Sequence, residues 1–158
     1  AVTASLAAHG IDVDRQGGPL RRASMACVAL PTCGLALAEA ERFLPELMAR
    51  IEALLAELRL DEQEIVVRMT GCPNGCARPY TAEIAFVGRG PERYQIWLGG
   101  NGASARLNRL WKDNVRGPDL IVELRPLLAR YARERSDNER FGDWCARVLW
   151  SGEDCLAP

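Results

Sequence analysis

Four cysteines stand in two pairs. Cys27 and Cys33 have five residues between them, Cys72 and Cys76 have three, and 38 residues separate the pairs. The second pair sits in Gly71-Cys72-Pro73-Asn74-Gly75-Cys76. Gly and Pro there keep the backbone out of a simple helix and let several N–H groups turn inward, as a nest does toward anionic sulfur. An iron–sulfur cube takes one thiolate per iron, and soft sulfur ligands suit iron. A structural zinc site also uses four cysteines, but usually at C-x2–4-C in both pairs, which the five-residue gap fits poorly. Buried inert cysteines are the third reading. On the residues alone all three stay open.

The other chemistry-bearing residues offer less. Cys145 reads as a small apolar residue in a tail helix, and Cys155 as a thiol in a loose terminus. His9 is the only histidine and lies near one end, so a His-based catalytic or metal site has little support. Gly99-Gly100-Asn101-Gly102 lacks the Gly-Lys-Ser/Thr ending of a phosphate loop and reads as a turn. The arginines at 130, 133 and 135 read as a solvated helix end.

The cysteines need rigid elements to hold them. Glu64 to Met69 is short and rich in β-branched residues, so a strand is expected to lead straight into the second cysteine loop. Ile84 and Phe86, then Tyr94, Ile96 and Leu98, alternate and predict two more strands joined by a tight turn over 88–92. Leu44, Leu47, Met48, Ile51, Leu54, Leu55 and Leu58 recur at steps of three and four and define one helical face. Pro45 fits that helix's first turn, which leaves 35–42 as a short separate helix or a lead-in. Residues 105–115 suit a strand or a helix. A helix opens after Pro118 with Pro126 inside its pattern, which predicts a kink or a delayed start. A last helix is expected within 137–150. The fold class is α+β, a mainly antiparallel sheet flanked by helices. Residues 1–24 read as the end of a preceding subdomain or a linker, 25–150 as the cysteine-bearing domain, and 151–158 as a tail.

The chain has 158 residues and a net charge of −1, with 48% hydrophobic and 26% charged residues. That balance excludes wholesale disorder and a coiled-coil chain. The near-neutral charge removes the basic footprint of a nucleic-acid binder. Lys112 is the only lysine beside 19 arginines, a composition bias. No run of 18 apolar residues predicts a membrane span. The first residues lack a charged leader and apolar core, so no secretory signal is expected and the setting reads as the reducing cytoplasm. The chain does not begin with Met and reads as a fragment of something longer.

Five stretches in order carry a resemblance: Met25 to Cys33, Ala38 to Pro45, Met69 to Pro79, Tyr94 to Gly100 and Phe141 to Asp143. Together they resemble the sirohaem nitrite and sulfite reductase superfamily, and more closely the C-terminal part of the assimilatory sulfite reductase haemoproteins (beta components). The likeness covers about residues 20 to 150. It implies the cluster-bearing fold of that superfamily and a [4Fe–4S] cluster on Cys27, Cys33, Cys72 and Cys76. It also implies that Cys76 bridges through its sulfur to the iron of sirohaem, with Asn74 donating to a sulfur or to the macrocycle. The activity implied is six-electron reduction of sulfite to sulfide, with a sirohaem nitrite reductase as the near alternative and a zinc-stapled module as the distant one. A flavoprotein reductase using NADPH, or ferredoxin, would supply electrons. The family's substrate-binding arginines and lysines lie in an N-terminal half, so this fragment is expected to be inactive alone, with no catalytic residue of its own.

Overall fold

A computed structural model describes residues 2–11 and 17–151. Its elements run α1 (Val2–Ala8), α2 (Pro19–Arg22), β1 (Met25–Ala26), α3 (Leu44–Glu57), β2 (Val67–Thr70), β3 (Ile84–Gly90), β4 (Arg93–Leu98), β5 (Arg109–Arg116), α4 (Leu120–Glu134) and α5 (Phe141–Val148). The strands form one sheet in the order β1-β2-β3-β4-β5. β3–β4 and β4–β5 are the long pairings and are antiparallel, as expected. The short pairings β1–β2 and β2–β3 are parallel. The parallel register matters for the site: Met25 lies beside Arg68 and Ala26 beside Met69, so β1 and β2 end side by side.

Periodicity explains the core. The leucine face of α3 buries Leu44, Leu47, Met48, Ile51, Leu54 and Leu55, and α4 buries Leu120, Leu124, Leu127, Leu128 and Tyr131. These meet alternate strand residues, Val67 and Met69, Ile84 and Phe86, then Tyr94, Ile96 and Leu98, in one cluster. Tyr131, Phe141 and Trp144 close its far end with ring centroids 5.3–5.7 Å apart. Cys145 is buried there, as its apolar reading expects. Burial pushes its thiol well above the usual range. α2 precedes residue 25 yet belongs to this packing: Leu20 is buried, and Arg21 grips Glu52 of α3 through Nε and Nη2 at 2.7–2.9 Å.

Four local expectations are refined. Residues 35–42 form turns, not a helix, because the Leu37 and Ala38 N–H groups donate to Gly71 O instead of to their own chain. Residues 109–116 are a strand, β5. Pro126 does not delay α4, which starts at Leu120. Its missing N–H orphans the carbonyl of Val122, and both residues lie on the exposed face where water can take that carbonyl. The last helix is α5, shorter than the expected window. Cys155 lies outside the described residues. Among the described residues, no helix is long and apolar enough to cross a membrane.

Candidate cofactor site

The two cysteine loops leave the sheet together. Cys27 follows β1 directly, and Gly71-Cys72 follows β2 directly. Because the strands are parallel neighbours, both loops emerge from one edge. Cys27 N–H donates to Met69 O at 3.1 Å, and Gly71 N–H donates to Cys27 Sγ at 3.3 Å. A backbone N–H from the second loop therefore already serves a sulfur of the first.

Gly71 is the contact point between the loops. A Cβ there would sit 2.6 Å from Ala29 Cβ and 2.6 Å from Ala38 O. Its carbonyl accepts Leu37 N–H at 2.8 Å and Ala38 N–H at 3.0 Å, which ties the strap after Cys33 to the second loop. Gly88 of β3 supports it from beneath, where a Cβ would fall 2.2 Å from Gly71 O. Within the first loop Ala29 takes a left-handed φ of 49°, the Leu30–Pro31 peptide is cis, and Cys33 N–H donates to Ala29 O at 2.7 Å.

The second loop bends at Gly75 (φ 73°) and again at Arg78 (φ 53°), whose N–H donates to Gly75 O at 2.8 Å. Only glycine adopts the first conformation without strain. The chain then enters a single 3-10 turn, Pro79–Thr81, which packs over β2 and β3. Tyr80 reaches back and its hydroxyl donates to Pro73 O at 3.1 Å. Its ring meets Trp97 edge-on at 5.1 Å. Asn108 holds the same turn from the β5 side.

The four sulfurs span a gradient of access. Cys72 is buried, Cys27 and Cys33 are half-buried, and Cys76 is exposed, with Asn74 exposed beside it. All four are free thiols. Among the described residues, no three His, Cys, Asp or Glu side chains gather at the spacing of a single ion. Zinc holds each sulfur at about 2.3 Å. Cys27 and Cys72 leave neighbouring strands at one edge, but the four thiols do not form a closed single-ion shell.

Arg68, on β2 just before the loop, donates from Nη1 to Ala23 O at 2.6 Å. Burial, and then the nearby charge of Arg78, lowers its affinity for its proton. Arg68 and Arg78 thus feel each other's charge, one before the second cysteine loop and one after it. Burial, and then the charge of Cys72, pushes the Tyr80 phenol above its ordinary value. Thr70, the residue before Gly71, buries a hydroxyl oxygen with no partner. The donor set, the sulfur-directed N–H and the close approach at Gly71 fit an iron–sulfur cluster.

Three residues of this site were not marked by sequence pattern. Tyr80 and Asn108 look like ordinary turn residues, and Arg68 like an ordinary strand charge. Gly71 and Gly75 carried a signal, since they flank the cysteines. Of the stretch read as a turn, Gly99 and Gly100 donate to Glu83 O and Ala82 O beside β3, and the turn itself runs from Asn101 to Ser104. His9 is exposed, with Nδ1 2.7 Å from Ser5 O.

The match to known proteins agrees with this geometry. The chain is 56% identical over 153 residues to the sulfite reductase (NADPH) hemoprotein beta-component of Methylobacterium sp. (strain 4-46), covering 97% of this chain and 25% of that protein. It is 56% identical over 129 residues to the protein of that description from Staphylococcus saprophyticus, covering 82% of this chain and 23% of that protein. The chain therefore spans about a quarter of the length of these relatives. Among solved structures, the Mycobacterium tuberculosis NirA protein superposes with a TM-score of 0.74 at 30% identity, over 93% of this chain and 29% of that one. The model of the nitrite and sulphite reductase 4Fe-4S domain matches residues 17–151, and the chain belongs to that family.

Proposed function

We propose that Cys27, Cys33, Cys72 and Cys76 hold a [4Fe–4S] cluster, and that Cys76 also ligates the iron of a sirohaem. The observation that carries this is the pairing of β1 with β2, which delivers both cysteine loops to one edge and places Gly71 N–H on Cys27 Sγ. Cys76 suits the bridging role because it is the exposed member of the set. Asn74, exposed one residue before Gly75, is assigned to donate to a sulfur or to the macrocycle.

In this reading the chain is the cluster- and sirohaem-binding part of an assimilatory sulfite reductase, which reduces sulfite to sulfide with six electrons. The relatives at 56% identity are named as sulfite reductases, which supports sulfite as the substrate. The bound cofactors would supply the electron transfer, and no side chain of this fragment carries that chemistry. The chain's own residues do four things. The cysteines bind, Gly71 and Gly75 shape the loops, Tyr80 ties the second loop to the turn that follows it, and the Gly71 N–H donates to Cys27 Sγ. Val28, Leu35 and Leu37 lie exposed around Cys27 and Cys33, an apolar skirt suited to a macrocycle and to the rest of a longer polypeptide. Residues 25–150, with α2 packed against them through Leu20 and Arg21, are the cofactor-binding unit. The NADPH in the relatives' description supports a flavoprotein donor over ferredoxin. We place the protein in the cytoplasm, where thiols stay reduced.

Anaerobic reconstitution with ferrous iron and sulfide tests the assignment. The expected product is brown, holds four irons and four sulfides per chain, and gives the paramagnetic signal of a reduced cube. Replacing Cys72 by Ser should abolish it. Replacing Cys76 by Ser should retain a damaged cluster and lose any coupling to sirohaem in the full-length enzyme. A colourless chain binding one zinc would show the structural module instead.

A further inference from the structure

The turn after Cys76 is held more firmly than a surface turn requires. Asn108 is buried, yet Nδ2 donates twice, to Pro79 O at 2.8 Å and to Ala82 O at 3.0 Å. Its own N–H donates to Tyr80 O at 2.8 Å. Three bonds from one residue therefore fix the two ends and the middle of the Pro79–Thr81 turn. Tyr80, in that turn, donates to Pro73 O inside the cysteine loop, packs edge-on to Trp97, and lies where a Cβ on Gly75 would come within 3.3 Å of its ring. The contacts form one line: β5 to Asn108, Asn108 to the turn, and the turn through Tyr80 to the stretch between Cys72 and Cys76. Asn108 keeps its side-chain oxygen buried without a partner, so its orientation is dictated by the two donated bonds.

We propose that Asn108 and Tyr80 are positioning residues that latch the second cysteine loop, and so set how long Cys72 and Cys76 retain a cluster. The proposal rests on the assignment of those thiols to a cluster. Groups outside the ligand set that orient it commonly change metal retention by one to two orders of magnitude. Neither side chain is assigned to touch iron. Each acts through the backbone of the loop, Tyr80 by direct donation and Asn108 by fixing the turn that aims Tyr80.

The test compares anaerobically reconstituted wild-type chain with Tyr80→Phe, Asn108→Asp and a control, Tyr131→Phe. The control removes another tyrosine-to-backbone bond, the more buried Tyr131 Oη to Glu139 O at 2.6 Å, from α4 instead of the loop. Tyr80→Phe keeps the ring against Trp97 and Gly75 and removes only the hydroxyl. Asn108→Asp turns a donor into an acceptor that faces two carbonyls. Each protein is scored for its rate of iron loss to a ferrous chelator, for the spectrum of the reduced cluster, and for Tm. Tyr80→Phe is expected to lose iron about tenfold faster, with an altered spectrum and nearly unchanged Tm. Asn108→Asp is expected to lose it faster still. Tyr131→Phe is expected to lower Tm and lose iron at the wild-type rate. Wild-type retention and spectrum in Tyr80→Phe would overturn the latch, even if Asn108→Asp failed to fold. So would iron loss that simply tracks Tm across all variants. A wild-type chain that takes up no iron would overturn the cluster assignment and the latch with it, a result readily told apart from the others.

Discussion

A Gly71→Ala chain will lose most of its capacity for iron, while Gly34→Ala will keep it. Both glycines lie in the cysteine loops, but their surroundings differ completely. A Cβ on Gly71 would fall 2.6 Å from both Ala29 Cβ and Ala38 O, and backbone cannot yield as a flexible side chain does. A Cβ on Gly34 meets nothing within 4 Å. To accept the methyl group, the first cysteine loop must lift away from the second. That movement weakens the Gly71 N–H bond to Cys27 Sγ and the two bonds that Gly71 O accepts from Leu37 and Ala38. Overpacking of this kind costs about 1–3 kcal/mol of stability. The larger effect is on the proposed site, where the four thiolates are assigned to one cluster and a displacement of one loop removes two of them. Iron and acid-labile sulfide per chain after anaerobic reconstitution, with a urea midpoint on the same samples, measure both. A Gly71→Ala chain with the full iron complement would mean that the loops do not depend on this contact.

What could be read from the sequence, and what could not, divides by the range of the interaction. The α3 face was legible because Leu44 to Leu55 repeat at the helical period and nothing else satisfies that pattern. The cysteine loops were legible because their spacing is local and Gly and Pro mark the bends. The β1–β2 pairing was not, since a two-residue strand carries no alternation. β5 was ambiguous for a related reason. It is an edge strand, Leu110 to Asn114 are all exposed, and with Val115 its one buried residue it shows no period of two. Asn108 and Tyr80 became visible only once β5 and the 79–81 turn were side by side in space. Glu83 is the sharpest case. In sequence it is one charge among 21 acidic residues, and nothing local says that it is buried.

Removing the carboxylate of Glu83 should destabilise the fold more than any other single surface-type change, and should do so without touching the cysteines. Its side chain is 1% exposed. One oxygen accepts Val66 N–H at 2.8 Å and Arg140 Nη2 at 2.8 Å; the other accepts Gly142 N–H at 3.0 Å and Arg140 Nε at 3.3 Å. Three segments converge on it: the lead-in to β2, the entry to β3 and the first turn of α5. Hydrogen bonding to Glu83 is the main reason the Arg140 guanidinium holds its proton more tightly than usual. In Glu83→Ala the buried Gly142 N–H and the half-buried Val66 N–H lose their acceptor, and Arg140 loses its buried counterion. Breaking a buried pair from one side costs about 3–5 kcal/mol. The half-exposed position of Arg140, which also donates to Glu64 O at 2.9 Å, argues for the lower end of that range. Glu83→Gln keeps the shape and one acceptor but turns an NH2 toward N–H groups, so it should fall between the two, at about 1–3 kcal/mol. Urea unfolding followed by tryptophan fluorescence reads these differences, since Trp144 lies in α5. Val66 immediately precedes β2 and Cys72 follows its opposite end, so the folded fraction of Glu83→Ala should still take up a full complement of iron. A stable Glu83→Ala protein would show that the clasp is dispensable. A folded one without iron would show that strain at one end of β2 reaches the cysteines at the other.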